Sequence, residues 1–224
     1  MKKLLCPGKY KLTTRIVIFQ GTRKSNLDKE DKVVKHLISA NKSFLLEEID
    51  AERLMDVFNS KGIQLPGITK LKGDCREQAE HFLKAIETNS LEEKLCEVLK
   101  MEGMTYIYDR LQTFKNVYAY KDISSLRRQI KKQFFTLTTA VDLHDVQQIF
   151  VERNIFETEF FETFEKNFEH RRELGMAQFL IEILKSGPQA MLTFVDCLYI
   201  CHMNELAQSL LTPTEDIRGN DQEQ

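Results

Sequence analysis

The stretch Leu174–Leu211, LGMAQFLIEILKSGPQAMLTFVDCLYICHMNELAQSLL, decides how this chain is read. Its Ser186-Gly187-Pro188 ends one apolar helical run and starts another, with Pro188 suited to a first helical turn. A weaker copy, CREQAEHFLKAIETNSLEEKLCEVLKMEGMTYIYDRL, lies upstream at Cys75–Leu111. Phe82, Leu83, Ile86, Leu95 and Val98 align with Phe179, Leu180, Ile183, Leu192 and Val195 at a constant offset of 97. Two related helical units in one short chain point to a device for holding partners rather than for turning over a substrate.

Nearer the N-terminus the repeat continues at an offset of 92. Asp142 aligns with Asp50, Phe150 with Phe58, and Ile155 with Ile63. Asn154 falls where Gly62 stood, and these two residue types best tolerate the positive φ that a helix C-cap demands. The change from 92 to 97 means five extra residues in the third-helix region of the second unit. There Glu157–Phe168 reads as a full amphipathic helix carrying Phe160, Phe161, Phe164 and Phe168. These rings are expected to be core, although adjacent Phe160 and Phe161 cannot point the same way on a helix.

Within the first unit, Val33, Leu37, Leu45 and Ile49 define a helix bent near Asn41–Ser43. Asp50 caps Ala51–Lys61, and a short segment interrupted by Pro66 and Gly67 follows. Asp74 caps Cys75–Thr88; Leu91–Met101 and Thr105–Thr113 complete the set. The second unit opens with Leu126–Val141, where Ile130, Phe134, Leu137 and Val141 form one stripe at steps of 4, 3 and 4. The expected fold is all-α, two six-helix antiparallel bundles occupying Lys29–Thr113 and Leu126–Leu211, with Phe114–Ser125 as a linker. Met1–Asp28 is an arm that reads as a short strand, a disordered segment or a docking segment, and Thr212–Gln224 is a polar, disordered tail.

The 224 residues carry a net charge of −2 that hides a gradient. Met1–Asp28 has seven Lys/Arg against one Asp, whereas Asn116–Gln224 has 11 basic and 17 acidic residues. Acidic units argue against a generic nucleic-acid surface. The arm residues Lys2, Lys3, Lys9, Lys11, Arg15, Arg23 and Lys24 leave nucleic-acid or lipid-headgroup contact as the alternative reading. Five cysteines, mostly within apolar helical runs, fit free thiols in a reducing compartment, and the expected location is the cytoplasm. No apolar run approaches the ~18 residues of a membrane span.

Six short amphipathic helices in each unit, an interrupted first helix and the Gly-Pro restart before the fifth resemble a caspase recruitment domain (CARD) of the death-fold superfamily. The likeness is clearest over Leu126–Leu211, where FLIEILKSGPQAMLTFVDCL is similar to the helix-four/helix-five signature of CARDs in initiator caspases and their adaptors. The first unit matches more loosely, with Asn89-Ser90-Leu91 in place of the Gly-Pro. The Arg-x-Asp-Leu-Leu motif of death-effector domains is absent from both. The resemblance implies homotypic binding to a caspase, adaptor or sensor CARD, with homo-oligomerisation open. It also implies a basic face on helices one and four that meets an acidic face on helices two and three.

The second unit carries residues of both kinds. Arg127, Arg128, Lys131 and Lys132 lie on its first helix, and Arg171 and Arg172 open its fourth. Asp145, Glu152, Glu157, Glu159, Glu162 and Glu165 cluster on helices two and three. The competing reading is an ordinary solvated face; against it, keeping the two signs on different helices forgoes local ion pairs. Lys29, Lys32, Lys35 and Lys42 against Glu47, Glu48, Asp50, Glu52 and Asp56 form a weaker version in the first unit.

No catalytic chemistry is expected. The chain has no Gly-x-x-x-x-Gly-Lys loop and no Gln-Ala-Cys-x-Gly segment, and its five histidines lack a nearby nucleophile. Cys197, Cys201 and His202 have no second pair at zinc spacing, so neither metal nor cofactor is expected. A third reading puts all the helices into one core, which would protect Gln112–Ser125 from proteases.

Overall fold

The computed structural model describes residues 37–68, 71–168 and 171–212, and their side chains apart from those of 163 and 165–168. The basic arm, Val33 and nearly all of the tail lie outside the described residues. Every regular element among the described residues is helical. A 3-10 turn, Ser39–Asn41, leads into α1 (Lys42–Glu48), α2 (Ala51–Ser60), α3 (Cys75–Thr88), α4 (Glu92–Met101) and α5 (Thr105–Tyr118). The second unit contains α6 (Ile123–Lys132), α7 (Phe134–Ala140), α8 (Leu143–Glu152), α9 (Thr158–Phe168), α10 (Arg172–Ser186), α11 (Pro188–Ile200) and α12 (Asn204–Leu211). None of these helices is long and apolar enough to cross a membrane.

The repeat is visible in backbone geometry. Asn41 and Gln133, 92 residues apart, both leave helical geometry (φ −119°, ψ 21° and φ −96°, ψ 13°) immediately before α1 and α7, and Gln133 breaks the first helix of the second unit. Ile49 and Val141 then end α1 and α7 in matching extended conformations, with ψ of 135° and 132°. The Asp50 carboxylate accepts from the Arg53 N–H, and that of Asp142 accepts from the His144 N–H, each satisfying a donor at a helix start. At the far ends, Gly62 and Asn154 take φ of 69° and 52°. The following amides then close matching turns, Ile63 to Phe58 and Ile155 to Phe150, both at 2.9 Å.

Three sequence expectations change. The first helix of the second unit is α6 plus α7, not one rod over Leu126–Val141; its apolar stripe runs across the break at Gln133. No third helix forms among the described residues of 61–74, where Pro66 lacks an amide donor and Gly67 takes φ 88°. The first unit therefore does not show six helices. Finally, α5 runs to Tyr118, because Leu111, Phe114 and Tyr118 extend its buried stripe at steps of 3 and 4. Only residues 119–122 connect the units.

One apolar core continues through both units. In the first, α3 packs on α1 and α2, and α4 on α3 and α5. In the second, α11 is central, touching α6, α8, α10 and α12. The opposite flank of α11 takes α5 of the first unit. Every residue from Ala190 to Leu198 is consequently buried, as expected for a helix apolar on all sides. Burying side chains such as Met191, Phe194 and Leu198 contributes about 1.5–3 kcal/mol each. The start of α11 depends on Gly187, whose φ of 101° and ψ of −167° are accessible essentially to glycine alone.

Candidate interaction surface

Helix α6 has the sequence ISSLRRQIKK, with Asp122 as its N-cap and no acidic residue within it. Leu126 and Ile130 turn inward, which leaves Arg128, Lys131 and Lys132 exposed and Arg127 half-buried. Lys131 and Lys132 stand in the last turn, where they complement the negative end of the helix dipole. On α8 the reverse holds: Asp145 and Glu152 are exposed, and Leu143–Glu152 contains neither Lys nor Arg. Glu157, Glu159 and Glu162, before and along α9, are also exposed, while the side chain of Glu165 lies outside the described residues.

Of the expected basic face, Arg172 is engaged within the unit itself. The Arg172 guanidinium sits 3.1 Å from the Asp142 carboxylate, just past the C-terminal end of α7. This contact and the packing of α7 on α10 set the two helices antiparallel. Arg171 and Arg172 are thereby placed at one end of α7 and Lys131 and Lys132 at the other. The seven residues of α7 span about 10 Å. In the first unit Lys42 is ion-paired with Glu80, and Lys29, Lys32 and Lys35 lie outside the described residues. Glu47, Glu48, Asp50, Glu52 and Asp56 are exposed there.

The described rings of the aromatic group pack as core, while the Phe168 side chain lies outside the described residues. Phe161 and Phe164 are buried and Phe160 is half-buried, resolving the conflict between adjacent rings. Phe179 lies within 5.0–6.3 Å of Phe150, Phe156, Phe161 and Phe164, mostly in inclined or edge-on geometry. Of the cysteines, Cys96 and Cys197 are buried, Cys201 is intermediate and Cys75 is exposed. Burial pushes the Cys197 thiol well up, so it is a poor nucleophile.

The strongest electrostatic feature involves none of the candidate residues of the sequence. Asp196, on α11, is fully buried, and Arg110 of α5 grips both its oxygens at 2.7 Å. Arg153, after α8, donates to the same carboxylate at 2.5 Å, to the Tyr118 hydroxyl at 2.9 Å and to the Ala40 carbonyl at 3.3 Å. Its guanidinium lies 5.2 Å from the Phe114 ring centroid, and Tyr118 shares a 2.7 Å hydrogen bond with Thr193. Desolvation alone would raise the Asp196 pKa. The Arg110 hydrogen bonds and the charges of both arginines outweigh it and hold the carboxyl below its usual range. Burial likewise disfavours the charged Arg153, but Tyr118 and Asp196 keep it protonated. The cluster holds two cations against one carboxylate and bridges the two units. Asp196 is the lone charge in PQAMLTFVDCLYI, and a charge buried in such a helix requires a partner. That signal was legible; the identities of Arg110 and Arg153 were not.

No protein-family model, curated protein or solved structure matches this chain.

Proposed function

We propose that the chain is a non-enzymatic adaptor or decoy regulator of apoptotic, inflammatory or innate immune signalling. In this reading it binds other CARD proteins (caspases, adaptors or sensors) in the cytoplasm through its second unit. The observation that carries the reading is the segregation of exposed charge in that unit, with cations on α6 and carboxylates on α8 and α9. Complementary fields of this kind set partner choice and encounter rate. The interruption of the first helix of the second unit at Gln133 supports this reading. Two opposed faces on one module also permit head-to-tail joining of copies.

The test uses the whole chain as bait for a panel of purified caspase, adaptor and sensor CARDs. Wild type should retain at least one of them. The double variant Arg128→Glu, Lys131→Glu should lose it with unchanged helical circular dichroism. Capture of none, or equal capture by both baits, overturns the reading.

A further inference from the structure

Among the described residues, the large apolar side chains most open to water are Met101, Tyr106, Phe135, Leu174 and Ile181. Three of these five belong to the packed pair α7 and α10. Helix α10 carries two stripes. Met176, Phe179, Leu180 and Ile183 are buried against the core. On the opposite side Leu174, Gln178, Ile181 and Lys185 recur at steps of 4, 3 and 4, with Leu174 50% and Ile181 38% exposed. A surface helix needs one apolar stripe to fold, so the exposed Leu174 and Ile181 on the far side are not required by it.

On α7, Leu137 and Thr138 turn inward and Phe135 is 78% exposed. Counted from the Arg172–Asp142 ion pair, Phe135 lies seven residues back and Ile181 nine residues on, so the antiparallel pairing brings the two level to within about 3 Å along the helix axes. We propose that Phe135, Ile181 and Leu174 form an apolar docking strip for an amphipathic helix of a protein partner, one with carboxylates flanking its own apolar stripe.

Charge at the ends of the strip argues for that occupant. Lys131 and Lys132 stand at the Phe135–Ile181 end and Arg171 at the Leu174 end, while Lys185 and Arg172 are already ion-paired with Glu182 and Asp142. In the middle, Glu182 accepts hydrogen bonds from Gln178 and Lys185, both at 2.9 Å, so its charge is engaged. An anionic lipid surface fits less well. Helix α9 packs beside α10 and presents Glu159 and Glu162, with Glu157 just before it and Glu173 in the first turn of α10, which would repel a broad negative plane. A narrow helix avoids them. The strip also lies on the side of α10 away from α11, so the first unit does not cover it. An exposed aromatic ring rimmed by cations is the composition of an interface anchor.

This proposal rests on the recruiting role of the second unit and adds its apolar centre. It is tested on the full chain by fluorescence anisotropy. The probe is a labelled helical peptide with leucines at steps of four and three and glutamates at both ends. Saturable binding is expected, weakened about tenfold or more by Phe135→Ser and by Leu174→Ser, both of which replace exposed groups and should leave the melting temperature unchanged. A peptide with lysines in place of the glutamates should bind at least about tenfold more weakly. No binding, equal affinity in wild type and both variants, or sedimentation with phosphatidylserine vesicles lost in those same variants overturns the proposal. Peptide binding without capture of any CARD keeps the strip and rejects the CARD reading. CARD capture indifferent to Phe135→Ser rejects the strip alone.

Discussion

Replacing Asp196 by Asn tests whether the cluster between α5 and α11 holds the two units together. The amide keeps the shape of the carboxylate but removes its charge and one acceptor oxygen. Two guanidiniums remain, with only 12% of the Arg110 side chain and 5% of Arg153 exposed. Neither can regain full hydration without parting the units. Breaking a buried pair in this way costs about 3–5 kcal/mol, a large share of a total stability of about 5–15 kcal/mol. At ~2–4 °C per kcal/mol for a chain of this size, the melting temperature should fall by about 6–20 °C. Arg110→Met should cost less, about 1–2 kcal/mol, because it removes the surplus cation and leaves Arg153 paired one-to-one with Asp196. Calorimetric melts of wild type and both variants provide the comparison. A loss below about 1 kcal/mol for Asp196→Asn, or a loss for Arg110→Met equal to it, refutes the reasoning.

Three further outcomes follow from the same geometry. The Asp196 pKa is depressed in the folded state, so its contribution is present above the unfolded carboxyl pKa of about 4 and is lost as pH falls through the lower folded value. Thermal melts between acid and neutral pH should therefore show a shallower acid decline for Asp196→Asn than for wild type. Limited trypsin digestion should spare Lys115 and Arg127, which flank the buried Phe114, Val117, Tyr118, Ser125 and Leu126; early cleavage at either would contradict the packing of α5 on α11. In chemical denaturation Phe179→Ala should cost about 3–5 kcal/mol, because it removes the centre of the ring cluster. Phe135→Ala should stay within about 0.5 kcal/mol of wild type.

Much of the fold was legible because the repeat places the same local chemistry twice. Asp50 and Asp142 announce helix starts, and Gly62 and Asn154 announce left-handed ends, from short-range rules alone. The break at Gln133 was not legible, since Ile130, Phe134, Leu137 and Val141 keep a helical period across it. Apolar period reports which side faces the core, not whether the backbone is continuous. The extension of α5 was readable in the spacing of Leu111, Phe114 and Tyr118 but lay where a linker was expected. Of the candidate surface, the sign of each helix was plain. The distance between Lys131 and Arg172 was hidden, because it depends on the pairing of α7 with α10. Arg110 and Arg153 lie 86 and 43 residues from Asp196, and no local pattern joins groups so far apart in the chain.

The short connection at residues 119–122 and the cluster above it settle the mutual orientation of the units when the chain folds. The rotational entropy of aligning them is then spent before any partner arrives. A ligand that touches only one unit gains nothing from this. A ligand that spans both meets its second contact already in register, at an effective concentration that a flexible tether would dilute. The chain is thus built to reward partners, or rows of partners, whose own spacing matches a fixed pair.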